Sequence, residues 1–549
     1  MDNHNSSCEA QLLIDNEIAA LTARMQESIR LLKTRRNELA PVSKLPDEIL
    51  LQIFVVLRDS TDLRPVKWLQ IMHVCQYWRH IAVGSSPLWT RLHDPPPSLT
   101  RLQLECSQNA PLDVVLTSTW FKHAASTEIF PVILHEIERI RTLNSARMPP
   151  SFLDAAHDIL TGLGQNWEAR SLETLTIGTD VIAGPRPTSI KLVTDVFRPT
   201  RRLRRLTLSS GYYSWDMFPI PGLTHLCLDG ISFGEVTGAQ FLETLRHMQN
   251  LEALMMMNWE NMKICQFPPT PRPQPIQLPS LRRLEIWCGN ENDLELFLTL
   301  LVHPKLHQWA VNPSWYPVTN VPACMKSALS PIEKANFGLL EFMVIHEQKV
   351  IISAMPEIYN PRDDNKSSSG IFLHIEDEED DLGTPFKFIV DLMSSLALLD
   401  RQDSILLRHI HLDSPNAPIA EFTRVFAYLP HLETIQVYNE LAPVLFKSLN
   451  LISSSDRAIA STHIPFPKLR LIIWHGKHRG RRPVPTLSAA VFDDLHRGLL
   501  LRHAHGVFVT MLMLVNCERL NDTQVHQLKE IGVQIMVKRG GVDLDILTN

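Results

Sequence analysis

Residues 45–57 read Leu-Pro-Asp-Glu-Ile-Leu-Leu-Gln-Ile-Phe-Val-Val-Leu (LPDEILLQIFVVL). Proline is tolerated in a first helical turn, and Asp47 and Glu48 put negative charge where the helix dipole favours it. Ile49, Leu50, Ile53, Phe54 and Leu57 then form an apolar stripe at helical spacing. After a polar loop, Arg58 to Pro65, the pattern predicts a second helix from Trp68 to about Val83. Its apolar positions are Leu69, Met72, Val74, Cys75, Trp78 and Ile81, and Gly84 stands where a left-handed cap would end it. Pro87-Leu88-Trp89 follows. A unit of about 50 residues cannot bury so many large apolar side chains by itself. The remainder must meet a partner or a neighbouring domain.

Three strings, LPDEILLQIFVVL, VCQYWRHIA (74–82) and SSPLW (85–89), together resemble the F-box domain in content, order and spacing. The resemblance implies a small helical module that docks on a Skp-family adaptor, which in turn binds a cullin–RING ubiquitin ligase. It implies that Leu45, Pro46, Ile49, Leu50, Ile53 and Phe54 supply much of the adaptor-facing surface. Val74, Cys75 and Trp78 then fill the rest of the interface or the core beneath it. Plain helical core is the competing reading for all of these residues. For Leu45, Pro46 and the Ile53-Phe54 pair contact is the favoured reading; for Leu57, Cys75 and Ile81 the two readings stay open, and Cys75 reads as a small buried hydrophobe rather than a reactive thiol.

Upstream, Ile14 to Leu39 reads as one long amphipathic helix, stopped by Pro41. Ile14, Ile18, Leu21, Met25, Ile29 and Leu32 recur at steps of four, three, four, four and three. This stripe either folds back on the following domain or joins two copies in a homodimer. Downstream of Pro95-Pro96-Pro97 the texture changes, which divides the chain into an N-terminal helix (1–43), the F-box module (44–93) and a long remainder (94–549).

In that remainder the fragment L-x-x-L-x-L, the core of the leucine-rich repeat signature, recurs. Strict copies are Leu99-Leu102-Leu104, Leu172-Leu175-Ile177, Leu203-Leu206-Leu208, Leu223-Leu226-Leu228, Leu251-Leu254-Met256 and Leu281-Leu284-Ile286. Looser copies begin at Leu306, Leu339, Leu407, Leu432 and Leu469. Arg139 to Leu143 and Ile371-Leu373-Ile375 are further candidate strands, and Phe422 to Leu429 is a candidate helix ahead of one triad. The fold class expected is α/β: a small all-α module followed by an irregular solenoid, with parallel strands on one face and helices on the other. The whole layout resembles a large class of fungal F-box proteins.

Composition removes several function classes. Lys+Arg 53 against Asp+Glu 59 leaves a net charge of −6, which argues against a protein that coats nucleic acid or an anionic membrane. No stretch reaches the ~18 apolar residues of a spanning helix; Phe508 to Val515 is the longest run near the end. The polar start MDNHNSSCEAQ lacks the pattern of a secretory signal. Eight cysteines without a C-x-x-C pair suggest reduced thiols and a cytoplasmic or nuclear protein. Thirty-eight prolines against 21 glycines suggest many short elements joined by stiff loops. Phe267 to Pro279 reads as one extended insert. The acidic run Glu376–Asp381 and the basic group Lys477, Arg479, Arg481 and Arg482 read as solvated loops.

The nucleophile elbow, the phosphate-binding loop and the zincin motif are absent from the sequence. Gly162-Leu163-Gly164 is a lone fragment without the third glycine of a dinucleotide fingerprint. His409/His411 and His503/His505 each place two imidazoles on one face of a strand, yet lack further metal ligands nearby. The expectation is therefore a non-catalytic substrate receptor without cofactor or metal. Its partners are the Skp-family adaptor, through it the cullin–RING ligase, and an unidentified target protein. Two alternatives remain at this level: a structural adaptor that never joins a ligase, and an enzyme whose active site lies in the array.

Overall fold

The computed structural model describes residues 2–60, 67–162, 169–179, 202–233, 236–257, 274–288, 297, 300–313, 405–413, 419–427, 429–438, 441–451, 464–476, 488–515 and 520–539, with isolated strands at 340–346, 349–353, 370–374 and 542–546. The acidic run 376–381, the basic group 477–482 and residues 267–273 of the proline-rich insert lie outside the described residues. The chain divides into two compact units, residues 1–183 with 191–203, and residues 184–190 with 204–549. That division falls inside the segment 94–549, which the sequence suggests as one array.

The first unit opens with α1 (Asp2–Glu38) and α2 (Asp47–Ser60). A 3-10 segment, Lys67–His73, and α3 (Gln76–Gly84) stand where the sequence suggests one helix. Trp68 and Ile71 are both buried, and a spacing of three aligns side chains when there are three residues per turn. Cys75 then breaks the run with extended backbone, and its Sγ caps α3 by accepting from the Trp78 amide. Gly84 is the last residue of α3 rather than a left-handed cap; the chain leaves through Ser85 in an extended conformation.

Beyond the module, β1 (Arg91–His93), β2 (Leu112–Val115), β3 (Ile140–Met148) and β4 (Thr174–Thr179) pair in parallel, in chain order. The connecting helices are α4 (Pro97–Ser107), α5 (Ser126–Leu134) and α6 (Pro150–Gly162). Parallel pairing follows from crossover connections of this kind. The triad Leu99-Leu102-Leu104 is not a strand: it lies in α4. Pro97 is suited to a first helical turn, and burial at Thr100, Gln103, Leu104 and Ser107 follows a helical period. Arg139, at the start of the expected strand 139–143, joins the elements: it donates to Ser107 Oγ (2.9 Å), Ala110 O (3.0 Å) and Leu104 O (3.3 Å). Trp120, Phe121, Phe130 and Phe152 form an aromatic cluster with ring centroids 4.8–6.4 Å apart.

The second unit is built on a long sheet. β5 (Arg205–Tyr212), β6 (His225–Ser232), β7 (Ala253–Met257), β9 (Arg283–Cys288) and β11 (Gln308–Pro313) pair in parallel one after another, while β8 (Ile276–Gln277) and β10 (Leu301–Val302) form a separate parallel pair. β12 (Leu340–His346), β13 (Lys349–Ser353) and β14 (Gly370–His374) bring an antiparallel interruption that the sequence reading lacks. β15 (Ile405–Asp413), β16 (Thr434–Tyr438), β17 (Leu471–His475), β18 (Met511–Val515) and β19 (Gln534–Arg539) resume the parallel order, and β20 (Val542–Ile546) closes it antiparallel.

The triad leucines decide the register. Leu206, Leu226, Leu254, Leu284 and Trp309 stand side by side across five strands, all at most 2% exposed. Ile410, Ile435, Ile472, Leu512 and Ile535 form the equivalent row further on. A slip of one residue would turn every such row to the opposite face, so burial pins the pairing. One backbone device recurs beneath these rows. The carbonyl of Arg204 accepts from Thr224 and His225, that of Glu252 from Arg282 and Arg283, and that of Arg470 from Thr510 and Met511.

Helices Ala442–Leu449 and Ala489–Ala504 meet at Gly498, where an added Cβ would stand 2.6 Å from Leu449 Cβ. Arg502, fully buried, donates to the carbonyls of Pro465 and Phe466. Burial pushes its guanidinium down to about 10, still far above neutrality, so it stays charged. Arg502→Met removes the donors and leaves the buried Pro465 carbonyl unpaired, at about 1–3 kcal/mol, whereas the Phe466 carbonyl keeps the Leu469 amide at 3.2 Å. Recovery of the guanidinium's own desolvation cost offsets part of that. The expected result is a second unit less stable by about 1–2 kcal/mol, read from a lower denaturant midpoint with an unchanged slope.

Candidate docking surface on the helical module

The core of the module is Leu50, Phe54, Trp68, Ile71, Ile81, Ala82, Leu88 and Trp89. Leu45, Trp78 and, from α4, Leu99 and Cys106 pack around it. Two aromatic contacts order it: Trp68 meets Trp89 edge-on with centroids 5.1 Å apart, and Phe54 meets Trp78 at 5.1 Å. The buried Trp89 indole donates to the Ala82 carbonyl at 2.7 Å. At the far end of α2, Asp59 accepts from Arg58 and Arg91, each at 2.8 Å. Partial burial alone would push the Asp59 carboxyl up, but the two guanidinia outweigh it and hold the carboxyl below its ordinary value.

α2 is apolar around most of its circumference, and the core takes only one side. Leu50 and Phe54 point inward, 0% and 1% exposed, so they support the surface from beneath instead of forming it. Their spacing of four aligns them with the tryptophans, which explains why they are withdrawn. The adjoining strip stays in solvent: Ile49 at 41%, Ile53 at 47%, Val56 at 68% and Leu57 at 40% exposed. Leu57 therefore falls on the outer strip. Leu45 is half-buried against the core and Pro46 is exposed. A helix in water normally turns such a strip toward other protein.

The second edge of the surface comes from α3. Tyr77 Oη donates to Asp47 Oδ1 at 2.5 Å, tying the start of α3 to the start of α2. That carboxylate holds the Tyr77 phenol above its ordinary value. Val74, 57% exposed, thus stands out at the same end as Pro46 and Ile49. Cys75 and Trp78 are half-buried, Cys75 as the cap of α3 and Trp78 as the neighbour of Phe54. The sequence reading missed Val56 and Tyr77. Val56 had a signal, since it lies three residues after Ile53 and seven after Ile49. Tyr77 had none, because its place depends on the contact with Asp47.

In the second unit, the face of the sheet opposite the buried rows carries a stacked trio. His411 stacks on Tyr438 (5.4 Å between centroids, planes 16° apart) and Tyr438 on His475 (4.6 Å, 17°). Gln436 Nε2 lies 2.8 Å from His475 Nε2. All four side chains are half-exposed, as are Leu471, Ile473, Met511 and Met513 beside them. His409 and His411 do share a strand face, as expected. His503 and His505 do not: His503 is helical and His505 follows the same helix as its cap. Among the described residues no group of three or more His, Cys, Asp or Glu is placed to hold a metal, and no helix is long and apolar enough to cross a membrane. An open pocket of about 370 Å³ is lined by Trp215, Pro219, Gln240, Glu243, Thr244 and His247.

Residues 42–95 match the F-box-like family. The chain thus carries an F-box-like domain spanning about a tenth of its 549 residues, and both edges of the exposed surface lie within the match. No curated protein matches the chain closely enough to count as a relative.

Proposed function

We propose that the chain is a substrate-recognition subunit of a Skp–cullin–F-box ubiquitin ligase. The observation that carries this reading is the coincidence of the F-box-like match with a strip of exposed apolar side chains on α2 and the start of α3. Pro46, Ile49, Ile53, Leu57 and Val74 contact the Skp-family adaptor. Leu45 and Trp78 border the contact, and Leu50, Phe54 and Cys75 hold its shape from below. Through the adaptor the chain reaches a cullin.

The rest of the molecule is a degenerate leucine-rich-repeat-like solenoid that selects the target protein. The parallel strand order, the aligned leucine rows and the recurring carbonyl device support that reading. The half-exposed face around His411, Tyr438 and His475 offers the target an aromatic and thioether surface, a composition favoured at interfaces. The chain needs no nucleophile of its own: it holds the target near the ligase's catalytic subunits and so raises its effective concentration. It works in the cytoplasm or nucleus, where its cysteines stay reduced.

The test is co-purification of the full chain with a Skp-family adaptor and a cullin, followed by target ubiquitination in the reconstituted assembly. Capture of both partners is the expected result. Capture of the adaptor without the cullin would replace the ligase with a non-ligase adaptor role. Capture of neither by a folded chain would remove the proposal.

A further inference from the structure

We infer that α1 pairs with α1 of a second copy of this chain, and that the two helices run antiparallel. Its apolar stripe does not fold back on the module: Ile14, Ile18, Leu21, Met25, Ile29 and Leu32 are 39–68% exposed. The contact α1 does make with α3 is polar, from Arg30 to Gln76 Oε1 at 3.3 Å. The stripe advances 18 residues in five steps, a mean of 3.6, which keeps it on one side of a straight helix. It also reads nearly the same from either end. In an antiparallel pair Ile14 falls opposite Leu32, Ile18 opposite Ile29 and Leu21 opposite Met25, so one register buries all six positions of both copies.

Charge sets the direction and identifies the occupant. Residues 2–17 hold Asp2, Glu9, Asp15 and Glu17 and no Lys or Arg. Residues 24–38 hold Arg24, Arg30, Lys33, Arg35 and Arg36 against Glu27 and Glu38, so one end of the helix is −4 and the other 5 − 2 = +3. The complement of such a gradient is the same helix reversed. Asp15 and Lys33 flank the stripe on one side, Glu17 and Arg35 on the other, and antiparallel pairing brings like flanks together. The acids of each copy then lie along the bases of its partner. A parallel pair would align acid with acid and base with base, which is unfavourable between neighbouring helices. Asp15, Glu17, Lys33 and Arg35 are all exposed, so they are available for this pairing.

The experiment measures molar mass by light scattering on the full chain at concentrations up to ~100 μM, because self-association follows mass action. Wild type gives twice 62.6 kDa. Asp15→Lys/Glu17→Lys and Lys33→Glu/Arg35→Glu each run as monomers alone and recover the dimer when mixed. The variant with all four changes pairs with itself and sorts away from wild type, whereas a parallel pair would favour the mixed species. A monomeric wild type, a dimer that survives Leu21→Glu/Met25→Glu, or preferential pairing of the fourfold variant with wild type would each overturn the inference. Far-UV circular dichroism checks that α1 stays helical in every variant, since the substituted side chains are exposed.

Discussion

Ile49→Glu/Ile53→Glu is expected to weaken capture of the Skp-family adaptor by at least ~100-fold while lowering the thermal unfolding of the module by only about 4–8 °C. Full burial of an isoleucine from water contributes about 1.5–3 kcal/mol, and roughly half of each side chain is already covered by the module. About 1 kcal/mol per residue is then left for the partner to gain. The substitution also places carboxylates in a contact that excludes water, at a cost of several kcal/mol unless they are paired. A total loss of about 3 kcal/mol corresponds to roughly 100-fold in affinity. Isothermal titration of the purified adaptor into wild type and variant measures it. Unchanged affinity would mean that the adaptor uses another face of the chain.

A loss of stability of about 1 kcal/mol for the pair is expected because only about half of each side chain is covered by the module. Surface substitutions away from caps and networks generally lie within about 0.5 kcal/mol. Burial therefore divides the residues of α2 that look alike in sequence. Leu50 and Phe54 fall in the same apolar stripe as Ile49 and Ile53, yet truncating them opens a cavity in the core, and any loss of binding would follow from unfolding. Stability and affinity measured on the same samples separate the two classes, since outer-strip variants move affinity far more than stability.

This division marks the limit of what the sequence discloses. The helical period along LPDEILLQIFVVL was enough to place α2, but not to decide which side of it is inner. That choice is made by Trp68 and Trp89, which are 14 and 35 residues beyond Phe54 and reach it only through tertiary packing. The break at Cys75 was likewise hidden, because a run of apolar residues fits a 3-10 segment plus a short helix as well as one long helix. In the larger unit the leucine triads located β5, β6, β7, β9 and β11, since burial of one face demands that pattern in each strand. The triad in α4 shows the cost of the shortcut. Spacings of three and two also occur on a helix, and Pro97 was the better guide there. Strand β18 read only as an apolar run, and β13 carried no triad at all.

Trp89→Ala is the substitution expected to do most damage. Trp89 is fully buried, and truncating a buried tryptophan costs about 3–5 kcal/mol through lost transfer energy and an unfilled cavity. The Ala82 carbonyl loses its indole donor, which adds about 1–3 kcal/mol. The edge-on contact with Trp68 contributes about 1 kcal/mol more. Domains commonly hold only about 5–15 kcal/mol in total, and one of this size lies at the low end. The module should therefore open: α2 and α3 lose hydrogen-exchange protection and adaptor capture disappears, while β5–β11 of the second unit keep theirs. Trp89→Phe retains most of the volume and loses mainly the indole N–H, so it should cost about 1–3 kcal/mol and keep adaptor binding. If Trp89→Ala left α2 and α3 protected, the eight-residue core would not be what holds the outer strip in place. The loss of binding in Ile49→Glu/Ile53→Glu would then need a different explanation from a preformed apolar surface.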